Sequence, residues 1–131
     1  MDLAAYIRDF NTLSRAEVVD RYYTDDCVIH MPSFMAPPDG TVRGKADWLL
    51  VLEESEETIK ETVTLIESAQ KEDLVMAEFD ILYVSKNEEP EFVMGPLRAG
   101  TPSTFRFFGS YYLRSGSIFR LDLAWWPNAV T

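Results

Sequence analysis

The apolar residues of this 131-residue chain keep a helical period as far as about Glu57 and an alternating one from Thr58 onward. That single switch restricts the fold more than any other feature of the sequence. Leu3, Tyr6, Ile7 and Phe10 recur at helical spacing, as do Val18, Val19, Tyr22 and Tyr23. Ser14 with Glu17 three residues later reads as a capping box opening the second helix, over 15–23. A third helix is expected from about Lys45 to Glu57, with Trp48, Leu49, Val51 and Leu52 as its apolar part. Beyond Thr58, TIKETVTLIESA and LVMAEFDILYVS alternate as strands, and a short run, Phe92-Val93-Met94, follows a charged turn. Two long strands, 103–114 and 117–126, close the chain through Ser115-Gly116, a two-residue hairpin turn. Helices first and an antiparallel meander last make an α+β fold.

Between the second and third helices lies YYTDDCVIHMPSFMAPPDGTVRGKADW, residues 22–48. Thr24-Asp25-Asp26 carries side chains that compete for backbone hydrogen bonds and should end the helix. Cys27–Met31 is a β-type run that Pro32 stops, since proline has no N–H for a ladder. The loop MPSFMAPPDG is unusually apolar, and apolar loop residues need something to cover; the mouth of a pocket is what this loop is expected to line.

Composition excludes several classes of partner. A net charge of −10 argues against nucleic acid and anionic membranes, which need a basic surface. No run approaches the ~18 apolar residues of a membrane span, and Asp2, Arg8 and Asp9 interrupt the N-terminal stretch where a secretory signal would lie. The single cysteine, Cys27, sits in an apolar strand and is read as a small buried hydrophobe in a reducing, cytoplasmic setting. No metal-ligand cluster, phosphate loop or Ser/His/Asp arrangement occurs, so neither metal nor cofactor is expected. One domain, 1–131, accommodates the whole chain.

The sequence Y-x-D-D at Tyr23–Asp26, V-x-H-x-P at Val28–Pro32 and G-x-x-x-G-x-x-x-W at Gly40–Trp48 accompany this order of elements. Together with GPLRAGTPSTFRFF and the hairpin ending S-G-S-I, they resemble the nuclear-transport-factor-2-like superfamily, closest to its SnoaL-like polyketide cyclase and ketosteroid isomerase branches. The resemblance spans nearly the whole chain. It implies a cone-shaped α+β barrel, three N-terminal helices packed in a strongly curved, mostly antiparallel sheet around a deep apolar cavity. Fold alone does not settle chemistry. Carried over position by position, the isomerase base falls on Met31, its oxyanion-hole acid on Phe108, and its tyrosine near Tyr6 or Ile7. The aspartate that cyclases and limonene-type epoxide hydrolases carry on the last strand falls on Leu123. A ketosteroid-type isomerase is therefore not expected.

Regular pairing from the Ser115-Gly116 turn puts Arg106, Phe108, Ser110, Tyr112, Phe119, Leu121, Leu123 and Trp125 on one face. The resemblance assigns that face to the cavity. Phe105, Phe107, Tyr111 and Trp126 would then lie outside, and burial in a homodimer through the outer sheet face is expected to cover them. Tyr23, Met31, Phe34, Trp48, Phe108, Tyr112, Leu121, Leu123 and Trp125 are the expected ligand-contacting residues. His30, the only histidine, is a candidate general base. Glu78 and Asp80 share a strand face, and in an apolar cavity their repulsion would split them into acid and base; the alternative is that Val75, Ala77, Phe79, Ile81 and Tyr83 face the core and the two acids face solvent. Arg120 and Asp122 read as an ion pair at a subunit interface, and the Glu53–Glu61 acidic run as a solvated helix end. Two functions fit: acid/base cyclisation, isomerisation or dehydration of an apolar cyclic or polyketide-like molecule, or a non-catalytic ligand-binding or dimerisation module that has lost the acids.

Overall fold

The computed structural model describes residues 1–127. Helix α1 (Leu3–Thr12) is capped by Asp2, whose carboxylate accepts from the Ala5 amide at 3.2 Å. Helix α2 (Arg15–Tyr22) opens on the Ser14/Glu17 capping box, and α3 (Lys45–Glu56) starts at Gly44. The strands are β1 (Tyr23–His30), β2 (Thr41–Arg43), β3 (Ile59–Lys71), β4 (Leu74–Ser85), β5 (Ser103–Arg114) and β6 (Ser117–Trp126). They form one curved, unclosed sheet in the order β2-β1-β6-β5-β4-β3. All neighbours are antiparallel except β1 and β6. The α+β architecture with three helices against a mostly antiparallel sheet is the one expected.

Three local expectations are corrected. Strand β1 begins at Tyr23, so Thr24-Asp25-Asp26 belongs to the strand rather than to a break; its acids are exposed, and Asp26 is held by Arg114 at 3.1 Å. Strand β2 comes from the part of the loop region that had no strand assigned. Phe92-Val93-Met94 forms no strand, and its segment is closed by the Glu89–Leu97 bridge. There Met94 and Leu97 are buried and Phe92 packs edge-on to Tyr83.

The largest correction is one of register. The Ser115-Gly116 turn does pair Arg114 with Ser117 and Leu113 with Ile118, but Tyr112 then pairs with Arg120, not with Phe119. Phe119 and Arg120 together oppose one residue, a β-bulge that exchanges the faces of β6 relative to β5. Leu121, Leu123 and Trp125 consequently pair with Tyr111, Gly109 and Phe107. Strict burial alternation in β5 puts Phe105, Phe107, Gly109, Tyr111 and Leu113 inside. Phe105, Phe107 and Tyr111 are thus core residues and not a dimer face, while Phe108 and Tyr112 lie on the outer side and not in the cavity. Gly109 leaves room for its neighbours: an added Cβ would lie 3.1 Å from the Phe79 ring and 3.3 Å from Leu123.

The core joins Leu3, Tyr6 and Ile7 of α1, Val18 and Val19 of α2, Trp48 and Leu52 of α3, and the inner faces of β4, β5 and β6. Cys27 is a free thiol buried in this core, and burial raises its pKa. Among the described residues no helix is long and apolar enough to cross a membrane.

Candidate functional site: a mostly apolar cavity lined by Glu61

Between the helices and the concave face of the sheet lies a cavity of about 880 Å³, within the range of small-molecule sites. Phe79 and Phe107, stacked with ring centroids 6.0 Å apart, join Tyr111, Leu121 and Leu123 on the sheet side. Tyr6, Ile7 and Phe10 of α1 and Trp48, Val51 and Leu52 of α3 form the opposite side. The loop after β1 contributes Met31, Met35, Ala36 and Pro37. Gly40 seats that loop: its carbonyl accepts from the Met31 amide at 2.9 Å, and its amide donates to the Ala36 carbonyl at 2.8 Å. A Cβ on Gly40, where φ is +82°, would lie 2.0 Å from the Met31 carbonyl oxygen, so only glycine fits.

The lining is mostly apolar, with Thr41, Arg43, Asp47, Glu54 and Ser55 at its polar parts, and two further polar features stand out within it. The first is a tyrosine cluster in which Tyr6 Oη and Tyr23 Oη are 2.6 Å apart, with Tyr111 packed edge-on to Tyr6. Burial raises the pKa of all three hydroxyls, so they stay protonated and can donate. The mutual hydrogen bond uses one of the Tyr6 and Tyr23 protons, and Tyr6 is the member that lines the cavity. The Trp48 indole N–H is buried beside them without a hydrogen-bond partner.

The second is Glu61. Ile59, Glu61 and Val63 alternate onto the inner face of β3, and both Glu61 and Val63 line the cavity. Ser55 Oγ donates to Glu61 Oε1 at 3.3 Å, and burial raises the carboxyl's pKa, opposed by nearby Arg15 and by that hydrogen bond. Reading Glu53–Glu61 as one solvated acidic run is corrected here. The helix stops at Glu56 and the strand starts at Ile59, so Glu61 obeys strand alternation. That same alternation, counted from Ile59 to Val63, was the available signal.

The acid/base candidates lie elsewhere. Glu78 and Asp80 project from the outer face of β4, both held by Arg106 of β5, which donates from Nε to Asp80 at 2.5 Å and from Nη1 to Glu78. Val75, Ala77, Phe79, Ile81 and Tyr83 take the inner face. His30 is also outside: its Nδ1 is 2.7 Å from Asp122, which Arg120 grips with two hydrogen bonds. Those bonds from Arg120, more than His30, hold the Asp122 carboxyl below its usual range. The structure therefore brings neither His30 nor the Glu78/Asp80 pair to the cavity. Of the expected ligand contacts, Met31, Trp48, Leu121 and Leu123 line it. Tyr23 sits behind Tyr6; Phe34 is exposed on the loop and packs edge-on to Trp125 at 5.6 Å. Among the described residues no group of three or more His, Cys, Asp or Glu side chains could hold a metal ion.

Glu61 has a measurable consequence for folding. Its raised pKa means the folded state holds the proton more tightly than the unfolded chain, so stability falls as pH rises from about 4.5 through the folded-state pKa. Glu61→Gln keeps the shape and removes the titration. Thermal melts from pH 4 to 8 should show the variant melting above the parent at pH 8, with the gap closing at the acid end. A parent that is the more stable protein at pH 8 would place Glu61 in water or in a strong ion pair.

The relations of the chain agree with this geometry. Residues 3–121 match the model of the SnoaL-like domain. Among solved structures, IdmH from Streptomyces antibioticus, a candidate polyketide cyclase, superposes with a TM-score of 0.74 at 23% identity over 92% of this chain and 86% of its own. A candidate polyketide cyclase from Xanthomonas campestris gives 0.74 at 18% identity, over 93% and 85%. A protein of ketosteroid isomerase-like fold from Catenulispora acidiphila, solved with trimethylamine, gives 0.72 at 12% identity, over 92% and 82%. At these identities the structures speak to the fold alone. Comparison with curated protein sequences finds no match. The family match, covering nearly the whole chain, decides the affiliation: this chain belongs to the SnoaL-like domain family.

Proposed function

We propose that this protein is a small-molecule enzyme that moves a proton on an apolar ring compound bound in the cavity, with Glu61 as the acid/base group. The observation that carries this reading is the Glu61 carboxyl on the wall of a mostly apolar cavity, its pKa raised by burial. A group poised nearer neutrality than an ordinary glutamate suits both halves of a proton transfer. Tyr6 supplies a hydroxyl donor for an oxygen that gains charge as the proton leaves. Flat rings fit between Trp48 and the Phe79/Phe107 stack. Cyclisation, isomerisation and dehydration all proceed through such a transfer. The candidate cyclases among the structural neighbours support the polyketide-like class of substrate. A cytoplasmic setting agrees with the free Cys27 thiol.

A second reading has its own support. Met31 and Leu123 stand where relatives of this fold carry acids, and both line the cavity as apolar residues. Phe108, counted as the third such position, faces outward, and its inward neighbours Phe107 and Gly109 are not acids either. A ligand-binding module without turnover is consistent with those positions. The probe 5-nitrobenzisoxazole separates the two: it is a flat ring whose C–H proton a carboxylate removes as the N–O bond breaks, giving a cyanophenolate. The enzyme reading expects cyanophenolate release to rise with pH through the Glu61 pKa to a plateau. Glu61→Gln should then lose about 10²-fold or more of the rate. Ring binding, seen as Trp48 fluorescence quenching, with equal and buffer-level rates in both proteins would favour the binding module.

We also infer that the protein is a homodimer through the outer face of β4, β5 and β6. Met76 and Trp126 are 55% and 49% exposed there, beside Phe108 and Tyr112. The two arginine-centred clusters, Arg106 with Glu78 and Asp80 and Arg120 with Asp122, neutralise charge on the same face. An apolar, charge-balanced sheet face of this kind favours a second copy, with about 1,200–2,000 Å² buried in total. Light scattering at tens of micromolar should report a dimer, and Met76→Glu with Trp126→Glu a monomer that keeps its fold. A monomeric parent would overturn this assembly.

A further inference from the structure

Glu61 does not stand alone on the cavity wall. Ser55, in the last turn of α3, also lines the cavity, and its Oγ donates to Glu61 Oε1 at 3.3 Å. A serine within a helix ordinarily bonds back to a carbonyl of its own preceding turn; this one reaches across to a strand. Only Glu57 and Thr58 separate α3 from β3, and the Ser55 carbonyl accepts from the Thr58 amide at 3.3 Å, which closes the turn. The strand is also fixed on its other side. β3 is an edge strand, and Asn11 of α1 takes the place of a neighbouring strand there. Its Nδ2 donates to the Val63 carbonyl and its Oδ1 accepts from the Val63 amide, both at 2.8 Å. The backbone that carries Glu61 is thus held by the turn before it and by Asn11 two residues after it.

On that fixed backbone the Glu61 carboxyl has one hydrogen bond among the described residues, the one from Ser55 to Oε1. Oε2 takes none, yet it is not one of the buried polar atoms left unpaired, so it opens onto the cavity. A glutamate has much rotamer freedom to lose, and a bond at Oε1 selects the rotamers that keep Oε2 inward. We propose that Ser55 is a positioning residue, holding Oε1 of Glu61 so that Oε2 is the oxygen that exchanges a proton with the ligand. The catalytic half of this rests on the proton-transfer reading above; the hold on the carboxyl does not.

Burial raises the Glu61 pKa, and the Ser55 bond opposes that rise by favouring the ionised form. The other charged and titratable groups around it are Glu54 and Glu56 on α3, Arg15 on α2, Tyr6 on α1 and Tyr83 opposite Glu61 on β4. Among the described residues none of these hydrogen-bonds to the carboxyl, and the Arg15 guanidinium sits on Glu56 and the Phe10 carbonyl.

The test is the pH profile of cyanophenolate release from 5-nitrobenzisoxazole by the parent, Ser55→Ala and Ser55→Thr. Loss of the donor should move the midpoint of Ser55→Ala upward, because the hydrogen bond favours the ionised carboxyl. The plateau then separates placement from basicity. A carboxylate freed of a donor is the stronger base and would react faster if its placement were unchanged. The proposal expects the Ser55→Ala plateau to fall about tenfold instead, mainly in kcat. Ser55→Thr keeps the hydroxyl and should recover most of both changes. A midpoint that stays at the parent value, a plateau that holds or rises, or a threonine variant no better than the alanine one overturns the proposal. A parent that releases no cyanophenolate above the buffer rate discards the proton-transfer reading by itself. Carboxyl-carbon NMR titration of Glu61 then decides the hold: a midpoint raised in Ser55→Ala keeps it, and an unmoved one discards it.

Discussion

Two residues, Phe119 and Arg120, stand opposite one, Tyr112, and the two sides of the sheet are sorted by that bulge. A strand has only two faces, so one extra residue moves every side chain beyond it to the other side. Here the displacement lets Leu121, Leu123 and Trp125 face inward with Phe107 and Tyr111, so that both strands present their largest apolar residues to the helices. It also brings Arg120 and Asp122 outward beside His30, where β1 pairs in parallel with β6. Without it, the middle of the hairpin would have to bury Arg106 or Arg120 against α1 and α3.

The cavity lies between the inner faces of β3, β4, β5 and β6 and helices α1 and α3. The loop held by Gly40 adds methionine, alanine and proline side chains to its lining. Walls this apolar lower the local dielectric, which is why the Glu61 carboxyl among them has its pKa raised. The buried tyrosines follow the same rule with the opposite use, since raising their pKa preserves them as donors.

Much of the fold could be read from local pattern. The change of period at Thr58, the Ser14/Glu17 capping box and the Ser115-Gly116 turn each depend on a few adjacent residues, and each places its element. The faces of β5 and β6 could not be read so. Both have apolar middles, and a bulge depends on which alternative buries the arginines, a fact of the assembled sheet. His30, Glu78 and Asp80 looked like site residues because they are chemically able; their outward direction is fixed by pairing to Asp122 and Arg106 on neighbouring strands. Glu61 was within reach of alternation from Ile59, but the preceding run of glutamates hid the boundary between helix and strand. The SnoaL-like affiliation was legible because it rests on the order of elements and not on any one side chain.

The claim on which the account turns is that a ring ligand and Glu61 meet inside the cone. A crystal structure of the protein with a flat apolar ring compound bound tests it directly. The account places the ring between Trp48 and the Phe79/Phe107 stack, with a ligand atom within hydrogen-bond reach of the Glu61 carboxyl. Density for the ligand on the outer sheet face against Phe108, or in the cavity with Glu61 turned away to solvent, would contradict it.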